Sequence, residues 1–349
     1  MAMPIQRIFH MQLGTDGGTE RFFLRLTKAF HARGIEQQFA VRPGTSWRGA
    51  LDGMGRVHEG HYLRRWPNWW LRTQLLRREM RRWPADVVMG WRAPTARLMP
   101  SSGPAVRIVR LGDYPHHLGH FGHVDCIVGN APNVLSHCEN LGWTGRREII
   151  SNFATESGSE AVPRSALDTP EDATLVFAPG RFVSTKGFDT LVRAVARTPD
   201  LWLWLAGDGP DRADLEALVD GLGLRARTRF IGWVSDPSAY AKAADIYCVP
   251  SRKEPLGNVL LEGWMAGVPV ISTRTEGPSW AATDRENALM VDIDDVAGFA
   301  GALGELAASP ALRAALVEGG HRRLSERFSE ARVVDQYLDL FERLRSGRG

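Results

Sequence analysis

The stretch EPLGNVLLEGWMAGVPVIST, from Glu254 to Thr273, has the composition of a buried helix followed by a buried strand. We predict a helix that begins at Asn258, after a proline and a glycine, and ends at Gly267. Two acidic residues interrupt this apolar stretch, Glu254 in the loop before the helix and Glu262 slightly more than one turn inside it. Carboxylates are rarely buried without a partner, so both are candidates for binding a polar group.

The order of strand then helix repeats along nearly the whole chain. Apolar, strand-like segments cover residues 5–13, 36–41, 86–89, 106–111 and 125–129 in the first half, and 174–182, 201–210, 229–234, 245–251 and 286–295 in the second. Such alternation predicts an α/β fold with parallel sheets and crossover helices. Segment 157–172, rich in Ser, Pro, Ala and acidic residues, has little to bury and is interpreted as an interdomain linker.

We therefore predict two doubly wound domains, at 1–160 and 161–328, and a C-terminal helical segment at 329–349. The length of 349 residues fits two domains of about 100–200 residues each. In open α/β sheets, ligands bind at the carboxyl ends of the strands. Two such sheets facing each other would place a ligand in a cleft between the domains.

The composition excludes several classes of protein. The net charge of +3 creates no global field that would demand nucleic acid as a partner. Cys126, Cys138 and Cys248 share no metal-ligand spacing, so disulfide-rich and zinc-ribbon proteins are not indicated. The opening residues lack a secretory signal pattern, and no run approaches about 20 apolar residues. We expect a cytoplasmic protein.

The loop GTDGGTE, Gly14 to Glu20, lies between a predicted strand and a predicted helix. Its glycines Gly17 and Gly18 would let backbone N–H groups approach a phosphate at the helix N-terminus. The alternative is an ordinary strand-to-helix turn with Thr19 as its N-cap, and the loop alone does not decide between them.

A second loop, PGRFVSTKG at residues 179–187, follows the first strand of the second domain. Its Arg181 and Lys186 lie five residues apart around a turn, where both can reach one anion. Arginine grips a phosphate through a bidentate fork and lysine supplies a compact charge. The alternative is a pair of solvated cations in a surface loop.

The two carboxylates of the opening stretch suit hydroxyl groups. A carboxylate such as that of Glu262 can accept two hydrogen bonds from a vicinal diol, for instance the hydroxyls of a ribose, and Glu254 could do the same for a sugar ring. Backbone amides that begin the helix would face phosphates. The alternative assigns Glu262 to a buried salt bridge and Glu254 to helix capping.

Together these motifs resemble a known family. E-x7-E before A-G-x-P-V, G-R-x4-K-G, L-A-G-D-G-P, F-x-G-W and an early G-G-x-E are similar to the motifs of family 4 glycosyltransferases. That family has the GT-B fold, in which two Rossmann-like doubly wound parallel-sheet domains face a cleft, and it uses nucleotide sugars with retention of the anomeric centre. GNAP, LGW, SNF and SRKEPLGNV resemble the branch that builds the lipopolysaccharide core. The resemblance implies hexose transfer from a nucleoside diphosphate sugar to such a core or another cell-envelope glycan.

The resemblance also implies roles for individual residues. Arg181 and Lys186 would neutralise the diphosphate, Glu254 would bind the donor sugar, and Glu262 would bind the ribose. Gly17 and Gly18 would let the first domain close over the phosphates, while Trp233 and Val234 would lie against the base. The implied donor-binding set is Gly17, Gly18, Arg181, Lys186, Trp233, Val234, Glu254, Pro255, Leu256, Gly257, Asn258 and Glu262. The first domain would receive the acceptor, and the C-terminal helix would cross back to it, as in relatives.

Two features concern catalysis. The letters Asp-x-Asp occur at Asp292 and Asp294, past the motifs, so Arg181, Lys186 and helix dipoles are expected to replace a metal ion. Many relatives carry His-Asp after the strand that corresponds to RIVRL, but this chain has Gly112-Asp113.

Histidines 116, 117, 120 and 123 follow that dipeptide closely. We predict Asp113 as an acceptor base or sugar contact, with His116 and His120 as further candidates for acceptor or sugar contacts. The alternative is a solvated, flexible loop.

Residues Arg64 to Arg82, RRWPNWWLRTQLLRREMRR, form a basic and aromatic patch. Arginines beside Trp66, Trp69 and Trp70 suit a peripheral contact with an anionic membrane, at the inner face of the cytoplasmic membrane, or a phosphorylated lipid-linked acceptor. The alternative is a solvated helix face with tryptophans in the core.

Two other functions stay open at this point. A GT-B nucleotide-sugar epimerase would need an acid and a base flanking the sugar ring, and the sequence does not indicate such a pair. A sugar-nucleotide-binding protein without transfer activity would keep the donor residues alone.

Overall fold

The computed structural model describes residues 4–15, 17–63 and 67–347. They form two compact units: one runs to Asn152 and resumes at Glu330, and the other comprises Phe153–Ser329.

The strands are β1 (Arg7–Gln12), β2 (Glu36–Val41), β3 (Gly55–Glu59), β4 (Val87–Trp91), β5 (Val106–Leu111), β6 (Cys126–Gly129), β7 (Arg146–Ile149), β8 (Thr174–Pro179), β9 (Leu201–Ala206), β10 (Thr228–Gly232), β11 (Ile246–Val249), β12 (Val270–Thr273) and β13 (Leu289–Val291). The α-helices are α1 (Gly18–Ala32), α2 (Trp69–Arg82), α3 (Pro132–Asn140), α4 (Phe188–Ala196), α5 (Arg212–Gly221), α6 (Pro237–Ala241), α7 (Asn258–Met265), α8 (Glu276–Ala281), α9 (Val296–Ala308), α10 (Pro310–Arg327) and α11 (Glu330–Ser346). Short 3₁₀ turns lie at Arg48–Leu51, Ala93–Leu98, Arg164–Leu167, Ser184–Lys186 and Arg225–Arg227.

The first unit contains a seven-stranded sheet in the order β3-β2-β1-β4-β5-β6-β7, and every strand pair is parallel. Its central strands β1, β4 and β5 are buried along almost their whole length, as expected for a parallel sheet with helices on both faces. The strand order reverses between β1 and β4, and ligands bind in the crevice at such a reversal. Helix α11 belongs to this unit, where Tyr337 and Phe341 pack against Phe30 of α1.

The second unit contains a six-stranded parallel sheet in the order β10-β9-β8-β11-β12-β13. Buried apolar residues form one cluster on each face. Helix α7 packs on one face through Leu260, Leu261 and Trp264, and the Trp264 indole N–H donates to the Asn287 carbonyl at 2.7 Å. The order reverses between β8 and β11. Both sheets are doubly wound, so the predicted fold class is confirmed.

Segment 157–172 is folded against the second unit. The Arg164 guanidinium donates to the Ala243 carbonyl at 2.9 and 3.1 Å and to the Asp245 carboxylate at 2.9 Å. Lys242 donates to the carbonyls of Ser157 and Ser159. These polar contacts hold a segment that contributes little to the apolar core. None of the helices described is both long and apolar enough to cross a membrane.

Candidate functional site

The second sheet places its predicted site residues at the reversal point. Strands β8 and β11 are neighbours there, and the loops that follow them carry Arg181 and Lys186 on one side and Glu254 on the other. Loops after neighbouring parallel strands emerge at the same edge of a sheet. Residues 68 positions apart in the sequence, Lys186 and Glu254, therefore come into direct contact.

Lys186 and Glu254 form an ion pair in which Nζ donates to Oε2. The Glu254 side chain is only 12% exposed, and the same Oε2 accepts a 3.3 Å hydrogen bond from the Ser251 hydroxyl. The pair places a carboxylate and an ammonium group side by side at one point. It can offer a ligand both a cation for phosphate and an acceptor for hydroxyl groups.

The loop that carries Arg181 is held by close backbone contacts with the Leu-Ala-Gly-Asp-Gly-Pro loop. Phe182 N–H donates to the Asp208 carbonyl at 2.9 Å. A Cβ atom on Gly207, whose φ is +154°, would lie 1.8 Å from the Gly180 carbonyl oxygen. Only glycine permits this approach. The Arg181 side chain is exposed beside this contact and is available to an anion.

Arg252, which was not predicted as a site residue, connects the loop after β8 with the start of α4 and with the loop after β13. Its guanidinium forms a fork with the Asp189 carboxylate at 2.8 and 2.9 Å and donates to Asp294 at 2.6 Å. It also donates to the Ser184 carbonyl at 2.6 Å, and its own N–H donates to the Thr185 carbonyl at 2.8 Å. Partial burial would raise the pKa of Asp189, but the Arg252 fork lowers it below its usual range.

The start of helix α7 depends on a glycine. Gly257 has φ of +88°, and a Cβ there would lie 3.4 Å from the Glu254 side chain. The Glu254 carbonyl accepts from Gly277 N–H at 3.1 Å, and Leu256 is buried, so the segment from Glu254 to Asn258 is fixed. The first amides of a helix lack internal partners and carry partial positive charge.

Three further predicted residues occupy different environments in this unit. Glu262 lies in α7 and is half-buried. Val234 is half-buried against an apolar cluster of the sheet. Trp233 is 62% exposed, so its aromatic side chain is accessible to a ligand.

The aspartates of the Asp-x-Asp letters are engaged in ion pairs. Asp294 pairs with Arg252, and Asp292 lies 3.5 Å from Arg274. Within residues 4–15, 17–63 and 67–347, no group of three or more His, Cys, Asp or Glu side chains is arranged to hold a metal ion.

In the first unit, the glycine loop between β1 and α1 encloses a buried carboxylate. Glu20 is 2% exposed, and neither of its oxygens accepts a hydrogen bond from a described residue. Its nearest cation is Arg92, whose Nη1 lies 3.8 Å from Oε1. A Cβ on Gly14 would lie 1.7 Å from that same oxygen, so the glycine makes room for the acid. Glu20 was missed as a site residue although it ends the G-G-x-E motif.

A buried arginine explains why position 112 is a glycine here and not the histidine that many relatives carry. Arg110 is 1% exposed, donates to the Asn152 side chain and lies 4.7 Å from the centre of the Phe22 ring. Burial lowers the pKa of Arg110, while the nearby Tyr337 and Glu20 raise it. A Cβ on Gly112 would lie 2.7 Å from Arg110 Nη1, so the guanidinium occupies space that a histidine at this position would need.

Asp113, His116 and His120 line a pocket of about 300 Å³ at the carboxyl ends of β4 and β5. Asp113 is exposed, and its Oδ1 accepts from Tyr114 N–H at 2.8 Å. Partial desolvation, followed by the neighbouring charge of Arg97, lowers the pKa of His120. The structure thus brings these three predicted residues together in one pocket.

The loop that carries them is anchored to its surroundings. His137 contacts the Pro115 carbonyl at 2.8 Å, and the Asn133 amide donates to the Tyr114 hydroxyl at 2.7 Å. His123 contacts the Ala96 carbonyl at 2.9 Å. These contacts give the His-rich loop a defined position on the unit.

Helix α2 carries most of the basic and aromatic patch; Arg64, Arg65 and Trp66 lie outside the described residues. Trp70, Leu71 and Leu75 are 59%, 45% and 47% exposed, and the opposite side of the helix buries Thr73, Leu76 and Met80. The exposed arginines of this helix are Arg72, Arg78, Arg81 and Arg82. The exposed face therefore combines apolar area with positive charge.

Comparisons with known proteins agree with this architecture. Residues 162–323 match the family model described as glycosyl transferases group 1. The chain is 44% identical over 337 residues to the lipopolysaccharide core biosynthesis glycosyltransferase LpsD of Rhizobium meliloti, covering 97% of this chain and 98% of that protein. It is also 44% identical over 334 residues to LpsE of the same organism, covering 96% and 98%.

Among solved structures, Anabaena HepE in complex with UDP and glucose superposes with a TM-score of 0.82 at 16% identity, covering 97% of this chain and 99% of that one. A likeness at this identity concerns the fold, and the fold is GT-B. Because the chain matches LpsD and LpsE at 44% identity over nearly their full length, it belongs to the group 1 glycosyl transferases and is a glycosyltransferase.

Proposed function

We propose that this enzyme transfers a hexose from a nucleoside diphosphate sugar to a lipopolysaccharide core or a related cell-envelope glycan, with retention and without a metal ion. The names of LpsD and LpsE support the acceptor class, and the UDP and glucose bound by the Anabaena protein support the donor class. The observation that carries the proposal is the meeting of Lys186, Glu254 and the start of α7 at the reversal point of the second sheet.

In this proposal the second unit binds the donor. The departing diphosphate develops negative charge, which Arg181, Lys186 and the first amides of α7 stabilise in place of a metal ion. When phosphate oxygens approach Lys186, the Glu254 carboxylate gains acceptor capacity for the hydroxyls of the hexose. Glu262 binds the ribose.

The remaining predicted residues complete the donor and acceptor assignments. Trp233 and Val234 lie against the base, while Gly17 and Gly18 of the first unit approach the phosphates. The first unit receives the acceptor, and Asp113 contacts the hexose or the acceptor hydroxyl. The full-length likeness to transferases does not favour an epimerase or a binding protein without transfer.

The donor assignment is tested by thermal shift with UDP, GDP and ADP, followed by nucleoside diphosphate release from a panel of nucleotide sugars, each with and without EDTA. Lys186→Ala should abolish most of the nucleotide-induced rise in Tm, because it removes a cation from the phosphate site. Arg193→Gln, an exposed cation on α4, is the matched control. Loss of turnover in EDTA, or an unchanged nucleotide response of Lys186→Ala, would contradict the proposal.

We further propose that the exposed face of α2 contacts an anionic membrane surface, which would bring the enzyme to a lipid-linked acceptor. Interfacial tryptophan and leucine side chains insert at the headgroup level, and arginines attract anionic lipids. Trp70→Ser combined with Arg78→Gln and Arg81→Gln should reduce binding to phosphatidylglycerol vesicles and leave donor hydrolysis unchanged. Equal binding of the wild type to phosphatidylcholine and phosphatidylglycerol vesicles would refute the electrostatic part.

A further inference from the structure

The pocket that contains Asp113 lies wholly within the first unit and has two well-defined walls. One is the turn that follows β4, from Arg92 to Arg97, and the other is the loop after β5, from Gly112 to Phe121. The contact of His123 with the Ala96 carbonyl ties the second wall to the first. A volume of about 300 Å³ is at the lower end for ligand sites, which suits one sugar residue of a longer glycan.

The charges of this pocket are distributed unequally. Arg92 and Arg97 lie on the first wall and three imidazoles, His116, His117 and His120, on the second, and Asp113 is the carboxylate of the lining. The lining therefore carries two permanent positive charges against one negative charge, and the buried Glu20, outside the lining, offsets part of the charge of Arg92 from 3.8 Å. A pocket of this composition attracts an anion more strongly than a neutral sugar.

The two arginines differ in how far a carboxylate neutralises them. Arg97 is exposed and forms no ion pair with any residue in the described part of the chain. The carboxylate nearest to Arg92 is the buried Glu20, at 3.8 Å, and the Arg92 side chain is still 51% exposed. Both guanidinium groups thus retain donors for a ligand.

The backbone holds Arg92 in a conformation that is unusual for a residue with a side chain. Its φ and ψ are +91° and 152°, and such strain persists where the surrounding structure enforces it, often at ligand sites. Here Arg92 N–H donates to the Arg110 carbonyl at 3.0 Å, and its carbonyl accepts from the Thr95 hydroxyl at 2.7 Å. The fold therefore places this arginine at the pocket before any ligand arrives.

We propose that this pocket binds an acceptor sugar that carries an oxyanion, either a carboxylate or a phosphate, through Arg92 and Arg97. Guanidinium groups recognise both oxyanions in a bidentate fork. Asp113 would repel the oxyanion, so the sugar enters with its anionic group towards the arginines and a hydroxyl towards Asp113. This inference rests on the proposed function, since it specifies the acceptor of that reaction.

The test compares methyl β-glucuronide, glucose 6-phosphate and methyl β-glucoside as probes, with titration calorimetry in the absence of donor. The wild-type enzyme should bind at least one anionic sugar about tenfold more tightly than the neutral glucoside, the effect of roughly one charge-assisted hydrogen bond. Arg97→Gln should remove most of that preference, and Arg97→Lys should retain part of it because the charge remains. Arg332→Gln, which removes an exposed charge of α11 in the same unit, is the control and should retain it fully.

The outcomes distinguish a carboxylate from a phosphate on the acceptor sugar. They also distinguish failure of this binding proposal from failure of the proposed transferase reaction. Preference for the glucuronide indicates an acidic sugar, and preference for the sugar phosphate indicates a phosphorylated one; either supports the proposal. Equal affinity for all three probes, or a preference that survives Arg97→Gln, overturns it. Donor hydrolysis is measured separately, so an inactive donor site would refute the proposed transferase reaction without altering the binding result.

Discussion

The guanidinium of Arg252 connects three segments of the second unit, so its removal should both destabilise this unit and weaken donor binding. Its bonds reach Asp189, Asp294 and the Ser184 carbonyl. The two carboxylates are 43% and 52% exposed, so each ion pair is assigned about 0.5 kcal/mol, within the range of exposed pairs. The bond to the carbonyl adds about 1 kcal/mol. We expect Arg252→Gln to lower the free energy of unfolding by about 2 kcal/mol.

This loss is measurable by thermal unfolding. For a domain of this size, about 2 kcal/mol corresponds to a fall in Tm of roughly 4–8 °C. The function should change as well, because the loop that carries Lys186 loses its side-chain bonds to Arg252 and is held less firmly against the segment that carries Glu254. The KM for the nucleotide sugar should rise about tenfold, equivalent to about 1.4 kcal/mol, with a smaller change in kcat.

Two variants make the result interpretable. Arg252→Lys keeps the charge but loses the planar fork, so its Tm and KM should fall between those of the wild type and Arg252→Gln. Arg285→Gln removes another bidentate arginine of the same unit, exposed and paired with Glu305 away from these loops; it should lower Tm by only about 1–2 °C and leave the donor KM unchanged. A Tm of Arg252→Gln within 1 °C of the wild type, with an unaltered donor KM, would refute the reasoning.

Three further predictions concern stability. Gly207→Ala should lower the free energy of unfolding by about 2–4 kcal/mol in denaturant titrations, since its Cβ meets a backbone carbonyl at 1.8 Å; Gly221→Ala, in open space, should not destabilise the protein. Trp264→Phe should cost about 1.5–3 kcal/mol in the same assay, because it leaves a buried carbonyl without its donor. Partial burial would raise the pKa of Asp284, but a backbone amide and a neighbouring arginine lower it below 3.8. The stability that the ionised Asp284 contributes is therefore present at neutral pH and is lost as the pH falls through the lowered pKa. A Tm that stays constant from about pH 5 to about pH 2 would contradict this prediction.

The elements that could be predicted from the sequence are those with a strong local pattern. Strand β5 coincides with its predicted range because four of its six residues are apolar and five of the six are buried. Strands β3 and β7 were not predicted, since they are edge strands whose side chains are mostly exposed and polar. The bounds of helix α2 cannot be predicted from the sequence, because arginines occupy much of its exposed face and obscure the periodic spacing of its apolar residues.

The residues of the candidate site also fall into those that the sequence predicts and those that it does not. Lys186, Glu254 and Asp113 were predicted because each belongs to a short motif at the end of a strand. Arg252 was not, because its partner Asp294 lies 42 residues away in the sequence. Arg97 was not either, since an exposed arginine in a turn carries no local signal, and only the strand order brings it beside the His-rich loop.

The first unit is completed by a helix that is synthesised last, and this order has a consequence for folding during synthesis. Helix α11 begins at Glu330, after the whole of Phe153–Ser329 has been made, yet its Tyr337 and Phe341 cover Phe30 near the beginning of the chain. During synthesis, the first unit therefore stays incomplete, with an uncovered apolar face, until α11 has been made. The second unit can fold completely before then. A premature stop before Glu330 would leave that face exposed permanently, so such a fragment would be expected to aggregate even though its second unit is complete.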